Sequence, residues 1–297
     1  MAQISITELH KATYTYLPNI MNIVGIIDGK LDNKIQQYIN DITSLAPDTK
    51  ISCPHSIFSY INATAKGNIF CQDLLAYYDF QAKSLYNSFI NDPRRQGKIK
   101  EKLKQSVMDI SDHDAADPSN PAFLNFVAEI LYAATIIPNA QNGGYEFIGF
   151  DELMDNGKDA DLLFRREKDG KFIYIDNLSI HGVDISKVGT AQDLYDYLAQ
   201  RIQIKFDSKT DGLTKQGNDF VINGNLTEFH VAPVLWNETC DMLPYKDAFL
   251  QFKEEGVLSL LFVALMPQEQ PNGHFAFSIE TVQNILSRWE EIEPINA

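Results

Sequence analysis

Asp161-Leu-Leu-Phe-Arg-Arg-Glu-Lys-Asp-Gly-Lys-Phe-Ile-Tyr-Ile-Asp176 decides how this chain is read. Asp161–Arg166 and Phe172–Asp176 are short strand-like runs of aliphatic and aromatic residues. Between them, Glu167-Lys-Asp-Gly-Lys171 puts Asp-Gly at the turn, a pair that tolerates the left-handed backbone of a tight hairpin. The two runs are therefore antiparallel neighbours. Asp161 opens the first and Asp176 ends the second, which brings the two carboxylates to adjoining positions near one end of a sheet.

Outward from this hairpin, Tyr145–Phe150 reads as another strand. Before it, Phe123–Ile137 reads as a buried helix, with Pro121 near its start and Pro138 after it. Downstream come an amphipathic helix over Ala191–Phe206, a strand over Glu228–Trp236, a helix over Tyr245–Glu255 and a fully buried strand over Leu258–Met266. A helical tail over Ser278–Glu291 closes the chain. This order predicts an α/β domain with a mixed central sheet flanked by helices, spanning residues 122–297.

Residues 1–110 read differently, as a helical domain. Ile35-Gln-Gln-Tyr-Ile-Asn-Asp-Ile and Leu74-Leu-Ala-Tyr-Tyr-Asp-Phe space their apolar side chains by three and four, as a one-sided helix requires. Breaks are expected at Asp28-Gly29, Ala46-Pro47-Asp48, Cys53-Pro54 and Asp92-Pro93. Residues 111–121 are the expected linker, because their acidic side chains repel and Pro118 and Pro121 block a helix.

Composition narrows the function classes. The chain has 297 residues, 44% of them hydrophobic, enough to bury a large core and exclude general disorder. Its net charge of −15 excludes a broadly basic nucleic-acid binder. The acidity is uneven: 13 acidic and 12 basic residues stand before Asn120, against 27 and 13 after it, so the α/β part carries a net −14. Cys53, Cys71 and Cys240 are far apart and lack metal-ligand spacing, which points to a reducing compartment. The apolar runs near Ile20–Ile27 and Val257–Pro267 are shorter than a spanning helix needs, and the N-terminus lacks secretory-signal texture. A cytoplasmic protein with no membrane partner is expected.

The polar residues then form a pattern. Glu129 interrupts an apolar helix, Asp161 opens one strand, and Asp176 closes the next. Carboxylates so placed suit a hard divalent cation such as Mg²⁺ or Mn²⁺. Such a metal can orient water against a phosphoryl group. From about residue 123 to 266 the chain resembles the core of the PD-(D/E)XK, or restriction-endonuclease-like, nuclease superfamily. Ala160-Asp161 stands for that family's Pro-Asp, Asp176-Asn177-Leu178 for its Asp/Glu-x-Lys, and Glu129 for its helix glutamate. The resemblance implies a restriction-endonuclease-like fold and metal-dependent phosphodiester hydrolysis, with Glu129, Asp161 and Asp176 holding the metal.

Leu178 departs from the pattern, since the family's lysine helps polarise the attacking water and leucine cannot. Arg201 and Lys205, four apart on one helix face, are the expected replacements, with Lys187 a weaker one. His181, five residues after Asp176, could also reach the site. Each residue has a plainer alternative: Glu129 pairing with a nearby lysine, Asp161 and Asp176 making strand-end hydrogen bonds, and Arg201 with Lys205 forming a solvated helix face.

Three functions follow as expectations. The first is a Mg²⁺- or Mn²⁺-dependent nuclease, with nucleic acid as partner. The second is a catalytically inactive nuclease-fold module whose acidic surface meets a basic protein partner. The third is a small-molecule enzyme on an unrelated α/β fold, which an apolar pocket away from Asp161 and Asp176 would favour.

Overall fold

The structure, a computed structural model, describes residues 4–44, 56–110, 122–180, 190–236, 245–254 and 261–292. The expected linker 111–121 lies outside these residues, as do His181, Lys187 and the turns at 46–48 and 53–54. Contacts divide the chain into two compact units: Met1–Ala134 with Gln268–Phe277, and Thr135–Pro267 with Ser278–Ala297.

The first unit is helical: α1 (Ile6–Tyr16), α2 (Pro18–Val24), α3 (Asp28–Ser44), α4 (Ile57–Ala65), α5 (Ile69–Ser88), α6 (Pro93–Met108) and the first half of α7 (Ala122–Asn142). Local chemistry sets three of the helix starts. Ser5 and Glu8 form a reciprocal cap on α1, Asn68 caps α5, and Asp92 caps α6 with Pro93 in the first turn. The break expected at Asp28-Gly29 falls earlier. Gly25, at φ +59, ends α2 in the left-handed conformation, and Asp28 already belongs to α3. Helix α2 has no side-chain cap of its own. Asp79 of α5 takes that role from a distance, accepting from the backbone N–H of Ile20 at 2.8 Å and of Asn19 at 3.3 Å. The same carboxylate accepts from the Asn19 side chain.

Helix α7 runs through Pro138 instead of stopping before it. Proline removes one N–H from the ladder, the one that would reach the Ala134 carbonyl, and Asn139 Nδ2 donates to the neighbouring Thr135 carbonyl at 2.9 Å. Phe123–Asn142 is long and apolar enough to cross a membrane by length and composition, yet 56% of its most apolar window is buried within the protein, as in a core helix.

The second unit is built on one mixed sheet. Strands β1 (Tyr145–Leu153), β2 (Asp159–Arg166) and β3 (Phe172–Ile180) form an antiparallel meander. Helix α8 (Ala191–Thr210) leads to a small hairpin, β4 (Thr214–Gln216) and β5 (Asp219–Ile222), and then to β6 (Asn225–Trp236). Strand β6 lies parallel to β3, from Phe172↔Thr227 to Ile180↔Leu235. Helix α9 (Lys246–Glu254) precedes β7 (Val263–Glu269), which pairs in parallel with the end of β6 and also with β8 (Phe275–Thr281). Helix α10 (Val282–Ile292) follows. Several elements differ from expectation: β3 runs on to Ile180, so Asp176 lies inside the strand and does not end it; the β4–β5 hairpin is additional; β8 takes Ser278–Thr281 from the expected helical tail; β1 and β6 are each three residues longer; and α8 continues four residues past Phe206.

On one face of β3, Tyr174, Leu178 and Ile180 join a core with Leu194 and Leu198 of α8 and Phe249 and Phe252 of α9. The period-two alternation of a strand puts Asp176 on that same face.

Asp79→Ala strips α2 of its cap and leaves buried N–H groups without their carboxylate acceptor. A loss of about 2–3 kcal/mol is expected in denaturant unfolding, with helicity of the folded state otherwise retained.

Candidate functional site

The paired register of β2 and β3 ends at Leu162↔Ile175, so Asp161 and Asp176 are the next residues along the two strands. Asp161 itself ends the ladder: its Oδ2 accepts the backbone N–H of Asn177 at 2.6 Å. The adjoining placement expected from the hairpin is therefore present, and Asp161 spends one oxygen on the backbone of the neighbouring strand.

Asp176 has no solvent exposure. Its two oxygens each face an ammonium from α8: Lys205 Nζ at 2.8 Å from Oδ2 and Lys209 Nζ at 2.9 Å from Oδ1. These lysines stand one helical turn apart and thus share a face. Helix α8 is held in this position at its C-terminal end. Asn156, in the β1–β2 connection, donates from Nδ2 to the carbonyls of Lys209 and Asp211, both at 2.8 Å, and Lys158 donates to the carbonyl of Ser208. Helix ends leave carbonyls without intrahelical partners, and a cation there also suits the helix dipole. Lys209 closes the arrangement by donating to the backbone carbonyl of Asp159 at 2.7 Å and to its carboxylate at 3.2 Å.

The electrostatics follow from the burial. Desolvation of Lys209 favours the neutral amine but is outweighed by the carboxylates of Asp176, Asp161 and Asp159, so its ammonium is held above the ordinary lysine range. Lys205 keeps 31% of its side-chain exposure and Lys209 keeps 18%, against none for Asp176. The desolvation cost thus falls mainly on the carboxylate.

The other expected residues sit as follows. Glu129 belongs to the first unit and is paired there with Lys102 of α6, the plainer of its two readings. Arg201 stacks over the Tyr197 ring, 5.9 Å from its centroid, and donates to the Tyr197 hydroxyl at 3.2 Å. Leu178, where the motif lysine would stand, is 8% exposed and lies in the core. Lys209 was not among the expected residues, although the spacing Arg201, Lys205, Lys209 placed it on the same face. Asn177 is 7% exposed, and its side-chain amide has no hydrogen-bond partner among the described residues. Among those residues no group of three or more His, Cys, Asp or Glu side chains comes together as metal ligands. Comparison with protein families, curated proteins and solved structures finds no match to this chain.

Chemically, the cluster presents a carboxylate that already has two cations. A divalent ion at Asp176 would have to displace Lys205, Lys209 or both.

The energetic asymmetry is testable. Replacing both Lys205 and Lys209 by Met strands a buried carboxylate and is expected to cost about 3–5 kcal/mol, whereas Asp176→Asn leaves two lysines able to reach water and costs about 1–2 kcal/mol. The raised Lys209 contributes stability below the ordinary lysine pKa that is lost as pH climbs through the raised value. Chemical denaturation between pH 8 and 11 should therefore show a steeper alkaline loss in the unmodified protein than in Lys209→Met.

Proposed function

We propose that this chain is a nuclease-fold protein that acts by binding, not by hydrolysis, through an acidic α/β unit suited to a basic protein partner. The observation that carries the reading is Asp176, wholly buried and held by Lys205 and Lys209 where the family pattern calls for an open metal ligand. The order of helix, three-stranded meander, crossover helix and parallel strand supports the restriction-endonuclease-like core. Leu178 in the core supports the loss of catalysis, since it supplies no cation for an attacking water. The net −14 carried after Asn120 supports a basic partner over a polyanion, because phosphate contacts need lysine and arginine.

One arrangement favours the second reading, a Mg²⁺- or Mn²⁺-dependent nuclease. Asp161 and Asp176 adjoin, with a lysine amine beside them, which are the groups hydrolysis would use. That chemistry needs Asp176 released from both lysines. Glu129 would also have to leave Lys102 to serve as a ligand.

Calorimetric titration of the full chain with Mn²⁺ is expected to give no saturable heat, and incubation with DNA or RNA in Mn²⁺ to give no cleavage. Cleavage that requires Mn²⁺ and disappears in Asp161→Asn would overturn the binding-only reading in favour of the nuclease.

A further inference from the structure

We propose that the second unit binds a small neutral amphiphile, an apolar molecule with one hydroxyl-type donor, in a cavity on the face of the sheet opposite Asp176. This inference does not rest on the nuclease-fold reading.

The cavity has a volume of about 550 Å³. Native interiors rarely leave voids larger than a water molecule, whereas small-molecule sites run from about 300 to 1,000 Å³. Its floor is apolar, with Ile136 from α7, Phe164 from β2, and Ile173 and Ile175 from β3, while Asn139, Thr281 and Asn284 stand on the lining as neutral polar groups. Ile173 and Ile175 alternate with Tyr174 and Asp176 along the strand, which sets the cavity on the other side of the sheet from the lysine-bound carboxylate. The register pairs Ile173 with Glu228 and Ile175 with His230, so β6 supplies two polar side chains beside the apolar wall.

These two residues define the head group. Glu228 Oε1 lies 3.1 Å from both Arg166 and Lys171, which also pair with Asp169 and Asp219, so the corner holds two cations and three carboxylates. The other Glu228 oxygen faces His230 Nε2 at 3.4 Å. In the tautomer that donates from Nε2 to that carboxylate, Nδ1 is an acceptor. A ligand carboxylate would be set against Glu228, and a ligand ammonium against Arg166 and Lys171. A neutral donor meets neither repulsion and satisfies Nδ1. The combination of a hydrophobic wall with a few hydrogen-bonding groups is how such sites orient an otherwise apolar ligand.

para-Heptylphenol supplies a ring, an alkyl tail and one neutral donor, and serves as the probe. Calorimetry on the full chain at neutral pH should show saturable one-to-one binding. para-Heptylanisole, which lacks the donor, and para-heptylbenzoate, which is an anion, should each bind about tenfold more weakly, the ratio expected for one hydrogen bond. His230→Phe should bring the phenol down to the anisole's affinity while leaving the anisole unchanged. Ala140→Phe projects a ring from another lining position and should abolish binding of all three, with circular dichroism and melting temperature reporting that it folds. Should that variant not fold, His230→Phe, whose parent side chain is 41% exposed, carries the test alone. Absence of saturable phenol binding, equal affinity for the three probes, or unchanged phenol binding in His230→Phe would each overturn the proposal.

Discussion

A carboxylate with no exposure, set on an inner strand of a sheet, constrains everything placed above it. Desolvating an ionised side chain costs several kcal/mol, and only close, well-directed opposite charge offsets that. Asp176 has two close cations, one per oxygen, and both come from a single helix. Helix α8 must therefore lie across β3 with one particular face down and one particular turn overhead. The ties from Asn156 and Lys158 to the final carbonyls of α8 make the same demand from the strand side. Rotating the helix by one residue would separate both lysines from Asp176 and detach those carbonyls together.

The same strand keeps its two faces chemically distinct. Towards α8 it presents Tyr174, Asp176, Leu178 and Ile180, a closed surface with its one charge neutralised. Towards the other side it presents Ile173 and Ile175, which line open volume beside Glu228 and His230. A sheet covered by helices usually fills both faces to crystal-like density. Here the polar groups on one face are consumed by ion pairing, while on the other an apolar surface stands next to an incompletely used imidazole. The open volume thus lies away from the carboxylates to which the motif draws attention.

How far this was legible depends on whether the signal was local. The β2–β3 hairpin was readable because Asp-Gly and strand texture act within a few residues, and Gly170 indeed takes φ +71. The adjoining of Asp161 and Asp176 followed from that geometry. The β5–β6 hairpin carried an equally strong signal that the reading passed over: Asn223-Gly224 between Ile222 and Asn225, with φ +51 and +76. Strand β8 likewise shows in the alternation Phe275, Phe277, Ile279 after the Asn272-Gly273 turn, and its last four residues overlap the expected helical tail. Pro138 misled in the opposite direction, since a rule about helix interiors was applied where only the last turn was at stake. No local pattern tells whether an acid meets a metal or a lysine. Glu129 with Lys102 and Asp176 with Lys209 are joined across 27 and 33 residues, and only packing decides them.

This is why a motif and its chemistry can separate. The hairpin constrains where carboxylates stand along its strands, and Asp161 and Asp176 do adjoin. Catalysis depends further on which groups face those carboxylates, and that is decided by a helix distant in sequence. A lysine on the crossover helix can serve hydrolysis only if it leaves the acid free to take a metal. With a second lysine one turn on and the acid fully buried, the two cations supply the charge compensation a metal would give. Lys205 and Lys209 thus hold Asp176 in a structural clasp, and they do so with the residue types that a search for a catalytic lysine would favour.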